Sequence, residues 1–469
     1  MTISSGLLAT LFVATFLAVT VAALRLFRLT RLSDLINPAL LFVLFFAVTH
    51  FAIPAIHLIV SEHWHQQAYE PTTMAAGYAY FVLFLLVTLS AHGLLRSRFS
   101  TPPAPAVGDE RWRKPYVLPL IIGVLLLSPI ALSAVMNRLY QVQGVGLSDF
   151  LARRITLTHG TGYSTMPLDW FLPFSIATLC VLLMVPPKYR GTKLLLAVTL
   201  VLLASLSLLS GALTGSRTRV LMLLVIGPMA LMALRSHVKL TVSRVVSILL
   251  AVAVLAVSAD LLRQVRAGMM ASTFETTGLQ VAGARLLEST QAFPEYENLW
   301  WLLENRHRWE LAGGQTFWAG LVNFIPRSIW QHKPLGGGPL LKNWIMPGSY
   351  ELGVDRSVSS YTTGLVAESY MNAGGVGVLV AGSIYGCLLA LLGHLLRVTR
   401  NPIGTAASVL LLFRVLELLR GEFLGVLSKT GIDQVPLVLM LLVSALLWAI
   451  ARRPTTRPRS ASLPEHSGG

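Results

Sequence analysis

The chain has 469 residues, 54% apolar and 12% charged, with mean hydropathy +0.66 and a net charge of +16. Soluble domains carry roughly 25% charged residues, which excludes an ordinary soluble domain. The apolar residues gather in runs of about 20, long enough to cross a bilayer as helices and unlike the short alternating segments of a membrane barrel.

The pattern predicts an all-α polytopic membrane protein with about 11 transmembrane helices. The spans fall at 4–24, 38–60, 74–95, 117–137, 168–185, 194–213, 219–235, 244–261, 373–396, 403–421 and 434–451. The first run has no basic residue before it and Arg25, Arg28 and Arg31 after it, so it reads as a retained helix rather than a cleaved signal. Cys180 and Cys387 lie in apolar runs, where small buried hydrophobes are expected. No reader motif accompanies the surplus of cations, so no nucleic-acid partner is expected. Those cations flank helices instead. With the N-terminus outside, the inner segments 25–37, 96–116, 186–193, 235–244, 397–402 and 452–469 hold 20 of the 37 Lys and Arg.

Between the spans, the sequence divides into an N-terminal helix bundle (1–261, with an outer loop at 138–167), one large extracytoplasmic loop (262–372), C-terminal transmembrane helices (373–451) and a Pro-, Ser- and Arg-rich tail (452–469). The tail is expected to be disordered on the anionic inner leaflet. The large loop holds six of the ten tryptophans, and its nine cations balance nine acids. Within it, residues 320–326 are too short to span and are expected to re-enter the membrane face.

Arg217 stands at an outer turn, as an anion ligand or as an interfacial arginine. Arg263 and Arg266 follow Asp260 at helical spacing, and Arg266 lacks a carboxylate in the preceding turn. In IPRSIWQHKP, prolines bracket Arg327, Trp330, His332 and Lys333. The two cations there suit one anion, and the indole suits the C–H face of a sugar; an amphipathic interfacial loop is the other reading. Glu368, with Tyr370 and Asn372, stands where the ninth apolar run begins. A carboxylate there is either a helix-dipole partner or a general base. Gly374, Gly375, Gly377, Gly382 and Gly386 leave room for close helix approach. Arg414 and Glu417 form an expected internal pair, while Arg420 lies nearest the outer surface. His50 and His57 share a face as polar helix contacts or a proton path. Glu62, His63 and His65 lack helical zinc spacing, and no nucleotide motif occurs, so neither metal nor cofactor is expected.

Four stretches resemble the O-antigen polymerases, the Wzy-type oligosaccharide repeat-unit polymerases: Gly215–Arg217, GGQTFWAGLVNFIPRSIWQHKP (313–334), TTGLVAESYMNAGGVGVLVAG (362–382) and LLRGEF (418–423). Their shared order and membrane placement carry the resemblance, which covers the C-terminal half. It implies a lipid-donor glycosyltransferase (GT-C-like) architecture in the cytoplasmic membrane. It also implies an undecaprenyl-pyrophosphate-linked oligosaccharide as donor, a lipid-linked repeat unit as acceptor, and a chain-length regulator and a flippase as partners. The expected mechanism is inverting: Glu368 as base, Arg217, Arg327 and Arg420 with Lys333 or Arg266 on the diphosphate, and Trp330, Tyr370 and Asn372 about the acceptor. The alternatives are ligase-like transfer to another acceptor and a lipid-linked oligosaccharide transporter.

Overall fold

The computed structural model describes residues 4–27, 30–60, 68–99, 114–145, 166–185, 189–214, 217–234, 294–327, 329–350, 361–399 and 401–451, with Thr241 and Ser243. The described chain is helical: α1 (Ser5–Leu26), α2 (Pro38–Ala47) running through a π-turn (Val48–Ala52) into α3 (Ile53–Val60), α4 (Pro71–Arg98), α5 (Lys114–Val145), α6 (Phe171–Met184), α7 (Arg190–Thr214) and α8 (Arg217–Leu234). Three short helices follow, α9 (Glu295–Glu304), α10 (Gln315–Leu321) and α11 (Gly337–Ile345), then α12 (Leu365–Val398), α13 (Pro402–Leu418) and α14 (Phe423–Ala451). Among the described residues, eight helices are long and apolar enough to cross a membrane. The predicted spans at 219–235 and 403–421 are the shorter helices α8 and α13; the one at 244–261 lies outside the described residues.

Two predicted starts move outward. α14 begins at Phe423 rather than 434, because Lys429 and Asp433 depress the hydropathy of its first turns. Both charges are paired, Asp433 in the interior and Lys429 near the surface: Arg414 Nε lies 2.7 Å from Asp433, and Lys429 Nζ lies 2.7 Å from Glu417. The expected Arg414–Glu417 pair is present and completes this network. α12 begins at Leu365 rather than 373, and the predicted boundary is a kink. Ala373 (φ −147°, ψ 23°) and Gly374 (φ 61°, ψ −144°) leave helical geometry there. The carbonyls of Met371 and Asn372 lose their helical donors and accept instead from Ala312 N–H (2.9 Å) and Gly313 N–H (3.0 Å).

α12 lies parallel to α4 and close to it. A Cβ on Gly382 would sit 3.3 Å from the Phe84 carbonyl oxygen, and one on Gly386 only 2.3 Å from that of Thr88. The two glycines four apart therefore act as the small residues of a close helix crossing, as expected. Gly377 differs: its open side faces its own helix, the Ser369 carbonyl across the kink. The core beside this seam is aromatic, with Phe42, Phe46, Phe84 and Tyr385 in mutual ring contact.

Part of the segment predicted as a large loop is drawn into the bundle. Residues 295–302 are all buried. Trp300 packs against Phe12, Tyr69 and Tyr296, and fills the gap over Gly77, where a Cβ would come within 2.4 Å of the indole. The first turns of α12 join the end of α13, through Leu365 N–H to the Leu419 carbonyl (3.4 Å). Following the helices from this seam puts the starts of α1, α4, α6, α8, α12 and α14 at one end of the bundle. Arg25, Arg31, Arg96, Arg98, Arg190, Lys193 and Arg397 lie toward the other end.

Candidate functional site

The candidate site forms where α13 breaks into α14. α13 stops at Leu418, and Arg420, Gly421 and Glu422 make the turn before Phe423 restarts the helix. Packed on this turn are the first turn of α9, the strand-like residues 361–364, and the glycines that open α11. Gly364 is required: its φ is +74°, and a Cβ would lie 2.9 Å from that of Glu295.

Three carboxyls gather here, Glu295 and Glu368 buried and Glu422 half-buried. Glu368 is fully buried, and its Oε2 accepts from Phe423 N–H (2.7 Å) and the Thr363 hydroxyl (3.3 Å). It therefore stabilises the start of α14 rather than that of its own helix, where the dipole favours a negative charge. Glu422 does the same for α11, accepting from Gly338 N–H at 2.7 Å. Burial pushes its carboxyl above the usual range, against the pull of that N–H and of Lys429. Glu295 accepts from Arg420 Nε at 2.9 Å and from the Thr362 hydroxyl at 3.5 Å. Burial raises it to about 7, even with the guanidinium opposing.

One atom in this cluster stands out chemically. Glu368 Oε1 is buried with no hydrogen-bond partner. The Thr316 side chain lies close to this carboxyl. Over it sits Gly337, whose Cβ, were there one, would approach Oε1 to 2.8 Å. A carboxylate oxygen without a donor is costly in a dry site, and is the kind of group that takes a proton from an incoming hydroxyl.

The structure sorts the expected site residues. Glu368 and Arg420 come together, both within one hydrogen bond of Thr362–Thr363 or of Glu295. Arg217 opens α8 at the same end of the bundle, which is as far as the description of that residue extends. Arg266 lies outside the described residues, as do the Glu62, His63 and His65 cluster and the loop at 146–165. Lys333 is not an anion ligand in this geometry. Its three N–H groups go to the Asn323 carbonyl (3.1 Å), Asn323 Oδ1 (3.2 Å) and the Ile325 carbonyl (3.0 Å). Burial, then neighbouring Arg327, lowers its pKa. Arg327 also turns inward, to the carbonyls of Gln331, Lys333 and Pro334, at 3.4, 2.8 and 3.3 Å. It stays near the cluster, since Tyr350 lies within electrostatic reach of both Arg327 and Glu422.

Asn372 is committed to structure, its amide donating to the Thr316 hydroxyl and the Glu368 carbonyl, each at 2.7 Å. Tyr370 packs edge-on against Tyr80 and Trp309. Trp330 is half-buried, next to exposed Ile329. Of the loop tryptophans, Trp300, Trp301 and Trp309 are core, and Trp344 stacks on Trp309 at 4.9 Å. His57 bonds Tyr296 on α9, an expected polar helix–helix contact, whereas His50 bonds its neighbour Thr49 and stacks on Phe46 within its own helix.

Sequence reasoning missed Glu295 and assigned no role to Glu422. Glu295 has a local signal, an acid in the first turn of a short helix after Pro294, but nothing local points to Arg420 across 125 residues. No group of three His, Cys, Asp or Glu side chains placed to hold a metal occurs among the described residues. Comparison with family models, curated proteins and solved structures finds no match.

Proposed function

We propose that this chain is a membrane glycosyltransferase that takes its sugar from a polyprenyl diphosphate donor. Within that class, the reading is a polymerase of lipid-linked oligosaccharide repeat units, of the O-antigen polymerase kind. The acceptor hydroxyl oxygen attacks the anomeric carbon of the undecaprenyl-pyrophosphate-linked glycan. The bond from that carbon to the diphosphate oxygen breaks with inversion. The hydroxyl proton passes to Glu368, and undecaprenyl diphosphate leaves with the bonding pair.

The observation that carries this reading is the unpartnered Oε1 of Glu368, buried beside a turn that presents Arg420. A base bonded to Phe423 N–H and a cation three residues before Phe423 supply the two things the step needs: a proton acceptor, and charge stabilisation on the leaving diphosphate. Arg420 is the principal diphosphate ligand, with the remaining N–H groups of Arg327 and with Arg217 as further candidates at the same end. The resemblance of residues 362–382 and 418–423 supports the same reading, because those stretches contribute Glu368, Arg420 and Glu422 to the cluster. The positive-inside rule puts the end bearing Arg25, Arg96, Arg98 and Arg397 in the cytoplasm and the carboxyl cluster outside.

The test is incubation of purified protein with synthetic undecaprenyl-diphosphate repeat units. A ladder of lengths is expected. Single transfer to a foreign acceptor lipid would mark a ligase, and lipid movement without new bonds a transporter.

A further inference from the structure

We propose that residues 315–333 form a membrane-embedded knuckle, a non-spanning element whose apolar face is covered by the acyl chains of one leaflet. The inference is independent of the reaction proposed above. Its first ground is exposure. Trp318 and Leu321 are each 53% exposed, Phe324 76% and Ile329 77%, on a segment that belongs to none of the candidate spans.

Depth is the second ground. α10 packs on the first turn of α14, with Gly320 against Phe423 and Leu424. The next turn down is reached by Asn323, whose amide donates to the Ser428 hydroxyl at 2.5 Å. At 1.5 Å per residue, Ser428 lies about 7.5 Å along α14 from its start. Ser428 is also the head of a stripe. Val435, Leu439, Leu442 and Leu446 follow it at intervals that keep one helical face, and all four are exposed. On a spanning helix that stripe faces lipid. The knuckle caps its upper end, so the same lipid reaches both.

The third ground is how the loop satisfies its backbone. Non-helical backbone at membrane depth needs partners within the protein. The carbonyls of Asn323, Ile325, Gln331, Lys333 and Pro334 all accept from the Lys333 ammonium or the Arg327 guanidinium. Those of Trp318, Gly320, Val322, Pro326 and Trp330 accept backbone N–H groups. The two cations are staples that turn their charge onto the loop's own carbonyls, leaving Phe324 and Ile329 outermost, with Gln331 and His332 exposed at the end of the segment.

The experiment places a nitroxide label at Phe324→Cys or Ile329→Cys in the full chain carrying Cys387→Ser; Cys180 is buried and stays. The protein is reconstituted in phosphatidylethanolamine and phosphatidylglycerol vesicles. Accessibility to oxygen is compared with accessibility to a water-soluble nickel chelate. Leu442→Cys and exposed His307→Cys supply the lipid and aqueous references. Oxygen access several-fold above chelate access at both knuckle positions, as at Leu442→Cys, is the expected result. Chelate access prevailing at either position, as at His307→Cys, overturns the proposal.

Discussion

Gly337→Ala is the sharpest small perturbation of the carboxyl cluster. The added methyl would stand 2.8 Å from Glu368 Oε1, 2.9 Å from Cδ and 3.1 Å from Cγ. The carboxyl must withdraw by about 0.6 Å to recover a 3.4 Å contact in an interior that has no slack. The movement stretches the 2.7 Å bond from Phe423 N–H past the roughly 3.2 Å limit of a good hydrogen bond. Loss of a hydrogen bond to a charged group costs about 1.5–3 kcal/mol. At about 1.4 kcal/mol per tenfold, the same displacement lowers polymerisation roughly ten- to a hundredfold. Thermal unfolding in detergent and the chain-length ladder are the two readouts. Gly431→Ala is the control: its Cβ meets nothing within 4 Å on exposed α14, so it should be neutral or stabilise by about 0.5–1 kcal/mol. A Gly337→Ala protein with the stability and ladder of the parent would refute this account of the cradle.

Two further predictions concern the charges around the break. Arg414→Leu strands the buried Asp433 carboxylate and is expected to destabilise by about 3–5 kcal/mol, with Asp433→Asn in the same chain restoring part of the loss; equal melting temperatures for Arg414→Leu and the parent would contradict it. Glu295 links stability to pH. Its folded pKa of about 7 exceeds the ordinary 4.5, so its contribution is full below about 4.5 and is lost as pH rises through about 7. Arg420→Gln removes the opposing cation, and the decline in melting temperature should extend to higher pH; superimposable curves would break the assignment.

The helices were largely legible because hydropathy reports lipid contact directly. Ten of the eleven predicted spans coincide with helices, and the eleventh lies outside the described residues. The errors fall where charged residues are paired within the protein, as with Asp433 and Lys429 near the start of α14. The candidate site was legible in part. Glu368 and Arg420 announced themselves as ionisable groups at span ends, a position that is costly without a role. Their partners did not, because a pair such as Glu295 and Arg420 is made by tertiary packing, which no local pattern encodes. The cations of the 323–334 loop show why: charge in a proline-bracketed loop looks like a ligand site, and here it also meets five loop carbonyls.

Glu368→Gln tests the central claim most directly. The amide keeps an oxygen for Phe423 N–H and nearly the same volume, but cannot take a proton at working pH. With lipid-diphosphate repeat units as substrate, the variant should fold like the parent and lose polymerisation by about 10²–10⁴-fold. A ladder within a few fold of the parent would show that this carboxyl is a helix cap and that the base lies elsewhere.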